Sequence, residues 1–176
     1  MISLERARDE LDRHLADSGK ATHCRVVAHV MRGLATVRRQ DADLWEIVGV
    51  CHDFDDVVTR RNRELHGIKT AEWLENDLPR EALDAIRAHD HRTGVRADTE
   101  IADALKLADG LAIADADAGR EALAGAGTDE ELQLLSARLS RRPYLLPILT
   151  ELSGKMNLGW GELVGLLDGA PRQHTG

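Results

Sequence analysis

Apolar residues recur three and four positions apart through almost the whole of this chain, and no segment alternates apolar with polar residues over the length of a strand. A period of 3.6 places such residues along one face of a helix, whereas a half-buried strand needs a period of two. The pattern therefore predicts an all-α protein. With 176 residues the chain can bury one substantial core and is short for two, so the expectation is a single-domain helical bundle of about seven to nine helices.

Caps and breakers divide that bundle. A first helix is expected from Leu4 to about Ala16 behind Ser3, stopped by Ser18-Gly19. Thr22 can cap a second, with His23 in its first turn and a buried stripe of Val26, Val27, Val30, Met31, Leu34 and Val37. A third starts at Asp43 with Glu46 in capping-box register, buries Leu44, Ile47, Val48 and Cys51, and ends at His52-Asp53. Residues 54–64 read as a polar, irregular, site-forming loop. A fourth helix follows from Leu65 to Asn76 with Ile68, Ala71, Trp73 and Leu74 inside, and a fifth runs from Pro79 to His89. Asp98 or Thr99 caps a sixth, through Ile101, Leu105, Ala108 and Ala112. A glycine-rich connection then leads to Thr128 and Glu131, a capping box for a seventh helix, with an eighth from Pro143 and a ninth from Trp160. Residues 1–128 form the expected domain, and 129–176 a helical extension packed on it that either completes the core or offers a face to a second copy.

The stretch VGVCHDFDDVV, Val48 to Val58, runs an apolar stripe into His52, Asp53, Asp55 and Asp56. Carboxylates gathered beside a core repel one another and resist desolvation, and a bound cation is the simplest compensation. Other polar residues fall at helix ends or among apolar neighbours: His23, His66, His89 and Asp109. Imidazole and carboxylate donors suit divalent Mn, Fe, Co, Ni, Zn or Mg, one or two per chain. The two cysteines, Cys24 and Cys51, have no zinc-type spacing and read as reduced thiols.

THCRVVAHVM supplies a histidine at His23, VGVCHDFDDV the pair His52-Asp53 after 29 residues, and ALKLADGL a distant Asp109. In this order and helical setting the chain resembles the HD-domain superfamily of metal-dependent phosphohydrolases over roughly Lys20 to Ala114, about half its length. It is most similar to small single-domain members in which HG and AI..H elements follow, here His66-Gly67 and Ala85 to His89. The resemblance implies that His23, His52, Asp53 and Asp109 bind a catalytic metal. It also implies that His66 and His89 either complete a second site bridged by Asp53 or contact its ligands or a phosphate. His91 is the alternative to His89. The pair is not followed by the Gly-Lys of many phosphodiesterase members, and the GYP extension of cyclic-dinucleotide enzymes is missing. An acid three residues beyond the pair, Asp56, fits nucleotidase-like members.

These readings give an expected hydrolase for a small phosphorylated metabolite, a nucleotide or other phosphomonoester. Asp56 or Asp55 would orient water or protonate the leaving group. Lys106 would reach the phosphate, or else pair with Asp103. Arg60, Arg61 and Arg63 in TRRNR are further phosphate contacts or simply a solvated patch. Two alternatives stand beside it: a di-iron oxygenase using the same six ligands, for which the sole tyrosine, Tyr144, lies far from His23 in sequence, and a noncatalytic nucleotide sensor. A net charge of -8 argues against a broad nucleic-acid-binding face. No apolar run is long enough for a bilayer, and MISLERARDELDRH has no apolar signal core, so a cytoplasmic location is expected.

Overall fold

The computed structural model describes residues 1–16 and 19–173, and among them there are eleven α-helices and no strand. In chain order these are α1 (Leu4–Leu15), α2 (Gly19–Arg38), α3 (Ala42–Cys51), α4 (Asp56–Thr59), α5 (Ile68–Trp73), α6 (Arg80–Ala88), α7 (Glu100–Ala118), α8 (Arg120–Ala124), α9 (Asp129–Arg138), α10 (Leu145–Lys155) and α11 (Trp160–Gly165), with single 3-10 turns at Arg63–Leu65 and His91–Thr93. The count exceeds the expected nine because α4 and α8 are single turns. A segment of four or five residues is too short to display a 3.6-residue period.

Two helices start later than expected, α5 at Ile68 in place of Leu65 and α10 at Leu145 in place of Pro143, and three further starts differ for local reasons. Ser3 caps α1 by accepting from Arg6 N at 3.2 Å, as its sequence suggests. α2, however, is already helical at Gly19, so Thr22 lies inside it and His23 falls in its second turn; Ser18, the expected stop, lies outside the described residues. α3 is capped by Asp41, whose carboxylate accepts from the backbone of Asp43 and Leu44, in place of an Asp43–Glu46 capping box. Glu46 is instead buried and held by Arg8 and Arg32. Pro79 sits one position earlier than expected, as N-cap of α6. The Thr128–Glu131 capping box is present at α9.

α7 is the axial element. Nearly all its sides are buried, through Ile101, Leu105, Leu107, Ala108, Leu111 and Ala112, and it packs on α2, α6 and α10. A helix apolar around its whole circumference must lie inside the molecule. α2 and α3 form the most extensive helix pair against it. The C-terminal helices complete the same core: Leu135, Leu139, Leu145, Leu149 and Leu163 join one buried cluster that extends from Ile2 to Ala170. Two residues expected inside are exposed, Val37 in the last turn of α2 and Trp73 at the end of α5. Among the described residues, no helix is long and apolar enough to cross a membrane.

Candidate metal centre

Six side chains from separate parts of the chain converge beside α7. His23 comes from α2, His52 caps the C-terminus of α3, Asp53 follows it, His66 leaves the 3-10 turn, His89 caps the C-terminus of α6, and Asp109 projects from the middle of α7. Adjacent residues on a helix point about 100° apart. The chain avoids that divergence at 52–53 by leaving the helix in tight turns, Phe54 N to Cys51 O at 3.0 Å and Asp56 N to Asp53 O at 2.9 Å.

The two oxygens of Asp53 face different partners. Oδ2 lies 3.5 Å from His52 Nε2 and 3.8 Å from His23 Nε2, while Oδ1 lies 2.9 Å from His66 Nε2 and 3.4 Å from His89 Nε2. Asp109 Oδ1 closes the first group, 2.9 Å from His23 Nε2 and 3.9 Å from His52 Nε2. His23, His52 and Asp109 form one set of donors that could hold a metal ion, and Asp53, His66 and His89 form another.

Three of the rings are oriented from behind. His52 Nδ1 lies 2.8 Å from Gly49 O, His89 Nδ1 2.7 Å from Ile86 O, and His66 Nδ1 2.7 Å from Asp55 Oδ1. A proton on Nδ1 donates to those oxygens and turns Nε2 toward the centre, the arrangement typical of metal-ligating histidine; at His52 that Nε2 is left with a free lone pair, while at His66 and His89 it faces Asp53 Oδ1. The Nε2 atom of His52 is buried without a hydrogen-bond partner among the described residues, and among them His23 Nε2 has only the Asp109 carboxylate in close reach, at 2.9 Å. Such orphaned atoms are costly unless something binds them. The donor set fits a metal on that ground. Cys24 lies within the same reach, but burial and the neighbouring Asp53 push its thiol pKa well up, which disfavours the thiolate a ligand requires.

Burial works against ionisation throughout, and the centre divides accordingly. At His52 burial prevails, bringing the imidazole down to about 4. At His66 burial is outweighed by hydrogen bonds to Asp53 and Asp55, which carry it up to about 9. Burial also opposes the Asp53 carboxylate, yet the surrounding imidazoles and an ammonium hold it well below the ordinary range. In protein stripped of metal, His66 stabilises the fold fully below its unfolded pKa of 6.5 and loses that contribution as pH rises toward about 9. His52 acts with opposite sign, contributing above 6.5 and losing its contribution as pH falls toward about 4. Thermal melts in chelator are expected to peak near pH 6.5 and to fall by roughly 5 °C or more by pH 9. A melting temperature that climbs steadily from pH 7 to 9 would contradict the His66 assignment.

The other expected site residues separate into distinct places. Asp55 is fully buried and has both oxygens engaged: Oδ1 with His66, Oδ2 with Gly67 N at 2.7 Å and Thr70 N at 3.1 Å. It holds His66 in place, which takes it out of the expected water-orienting role. Gly67 has φ +79, and a Cβ there would meet Ile86 O at 2.4 Å and the His89 ring at 3.0 Å, so the glycine lets His66 and His89 approach each other. Asp56 is buried and bonded to Arg63 Nη1 at 2.9 Å, with Arg60 Nε at 3.6 Å.

A cleft of about 920 Å³ opens over the centre, and Arg63 and Lys106 line it. Lys106 has no ion pair among the described residues, because Asp103 pairs with Lys155 instead. Arg60 and Arg61 do not line that cleft. They line a neighbouring pocket that shares Arg63 and Arg92 with it. His91 has an 82% exposed side chain, which removes it as an alternative to His89.

Sequence reasoning missed two residues. Lys20 Nζ lies 2.6 Å from Asp53 Oδ2, and the signal available was its spacing of three from His23, on one helical face. Tyr144, remote from His23 in sequence, lines the same cleft because α10 packs on α7. No family model, no curated protein and no solved structure matches this chain.

Proposed function

We propose that this protein is a metal-dependent phosphohydrolase of the HD type, acting on a small phosphorylated metabolite such as a nucleotide or other phosphomonoester. In this reading His23, His52, Asp53 and Asp109 hold one divalent ion, and Asp53, His66 and His89 hold a second. The observation that carries the proposal is the division of the Asp53 carboxylate, with one oxygen turned to each pair of imidazoles at the base of an open cleft. Divalent ions at such a centre lower the pKa of a bound water and polarise phosphoryl oxygens.

The protein's own groups supply positioning. Lys106, on the cleft wall and without a carboxylate partner among the described residues, binds a phosphoryl oxygen of the substrate. Arg63 is held toward the same cleft by Asp56 and offers a second cation. Asp56 therefore acts on the substrate through Arg63. Elemental analysis of gently purified protein, beside a phosphate-ester panel with Mn, Co, Ni, Mg and Fe, tests the proposal; no turnover with any ester and any ion would end it. Lys106→Ala is expected to raise KM by about tenfold while kcat changes less, the signature of lost ground-state binding.

A second reading, oxygen chemistry at two irons, draws on the same six donors and on Tyr144 in the cleft. Iron retained through anaerobic purification, with substrate-dependent oxygen uptake and no ester hydrolysis, would favour it.

A further inference from the structure

Lys20 stands one residue into α2, one turn before His23 on the same helical face. Its ammonium donates to Asp53 Oδ2 at 2.6 Å. That oxygen is the one turned toward His23 and His52. The lysine therefore holds the lone pairs that a metal bound among those imidazoles would need. A dication and an ammonium on one carboxylate oxygen repel strongly where water is scarce. Asp53 is 1% exposed, so solvent does little to screen that repulsion.

Lys20 has somewhere else to go. Its side chain keeps 35% of its surface accessible, it lines the cleft, and a flexible four-carbon stem lets the charge swing away. We propose that Lys20 is a built-in competitor for the first metal position: it stands on Asp53 Oδ2 when no ion is bound and turns into the cleft when one is. There it meets a phosphoryl oxygen of the substrate. The inference rests on the metal-centre reading above and adds to it a residue that links metal loading to substrate capture. Without the ion, the ammonium joins the His66 imidazole in offsetting the buried Asp53 charge. With the ion, the same charge becomes available to an anion.

Calorimetric titration of chelator-stripped protein with Mn and with Zn tests this, using the wild type, Lys20→Met and Lys20→Arg. Lys20→Met removes the competing charge at similar length, and its Kd is expected to tighten on the order of tenfold or more. Its metal-free melting temperature should fall, while the metal-loaded one stays near wild type. Lys20→Arg keeps the charge and is expected to bind as the wild type does. A folded Lys20→Met with unchanged or weaker metal affinity overturns the proposal. Amine-selective labelling of the wild type, read by mass spectrometry, decides the matter even if Lys20→Met does not fold: Lys20 should label faster with Mn present than in chelator, and equal or slower labelling refutes the displacement. A wild type that binds neither ion would refute the metal-centre reading itself, a result distinct from either of these.

Discussion

Asp53→Asn is expected to give a folded protein that retains no metal through purification and, on the proposed phosphohydrolase reading, turns over phosphate esters roughly a thousandfold more slowly, about 4 kcal/mol of lost transition-state stabilisation. The two partners of the side chain explain why the loss should be complete. Asn matches Asp in shape but replaces one oxygen with an NH2 donor, and in either orientation one pair of imidazoles loses its acceptor. The remaining carbonyl has no net charge, so the other pair loses most of its attraction for a cation as well. Lys20, deprived of its partner, is about one-third accessible and can turn to solvent, which is why the fold should survive. His66→Ala provides the contrast. It removes a donor on the Oδ1 side alone, so one ion per chain should remain where Asp53→Asn leaves none. Metal-to-protein ratios by elemental analysis separate the two variants. Equal stoichiometry in both would mean that Asp53 does not serve two sides.

The helical class is legible in the sequence because its signal is local, and local signals mark the polar residues as candidates, whereas their selection as one set of six comes from the ordered motifs that carry the family resemblance. Apolar spacing marks helices, and a histidine or aspartate placed where an apolar stripe stops is conspicuous. What the sequence did not display is which partner each polar atom takes. Asp55 and Asp56 are neighbours of one type, yet Asp55 secures His66 and a backbone turn while Asp56 secures an arginine. That difference arises from the single turn of α4, which is too short to leave a periodic trace. Lys20 reads as an ordinary surface lysine until the 52–53 turn brings Asp53 back toward α2. The early start of α2 was hidden because it begins at a glycine, a residue that otherwise signals a stop. Trp73 belongs to the expected apolar stripe with Ile68, Ala71 and Leu74, but the helix that carries it ends there with the ring exposed, stacked on His14.

Gly49→Ala is expected to damage the fold and the centre together. A Cβ at that position would stand 2.6 Å from Ala28 Cα, 2.8 Å from Ala28 N and 3.1 Å from Val27 C. All three are backbone atoms of α2, so no rotamer change can relieve the overlap. Ordinary carbon contacts lie at about 3.5–4.0 Å, and α2 and α3 would have to separate by roughly 1 Å. Overpacking of this kind costs about 3 kcal/mol, which for a chain of this size lowers the melting temperature by roughly 6–12 °C. The displacement also reaches the chemistry. α2 carries His23, α3 leads into His52 and Asp53, and the Gly49 carbonyl itself accepts from His52 Nδ1. A shift of about 1 Å in such a constellation can cost on the order of a hundredfold in rate. Gly154→Ala is the control. It lies exposed in α10 with nothing but its own stretch of helix within 4 Å of the added methyl among the described residues, and replacing a helical glycine there should stabilise by about 0.4–1 kcal/mol. Melting curves and metal titrations of the two variants should therefore move in opposite directions for stability, and only Gly49→Ala should lose metal affinity. If Gly49→Ala melts as the wild type does, α2 and α3 do not approach as closely as the centre requires, and the convergence of His23 on the 52–53 pair falls with it.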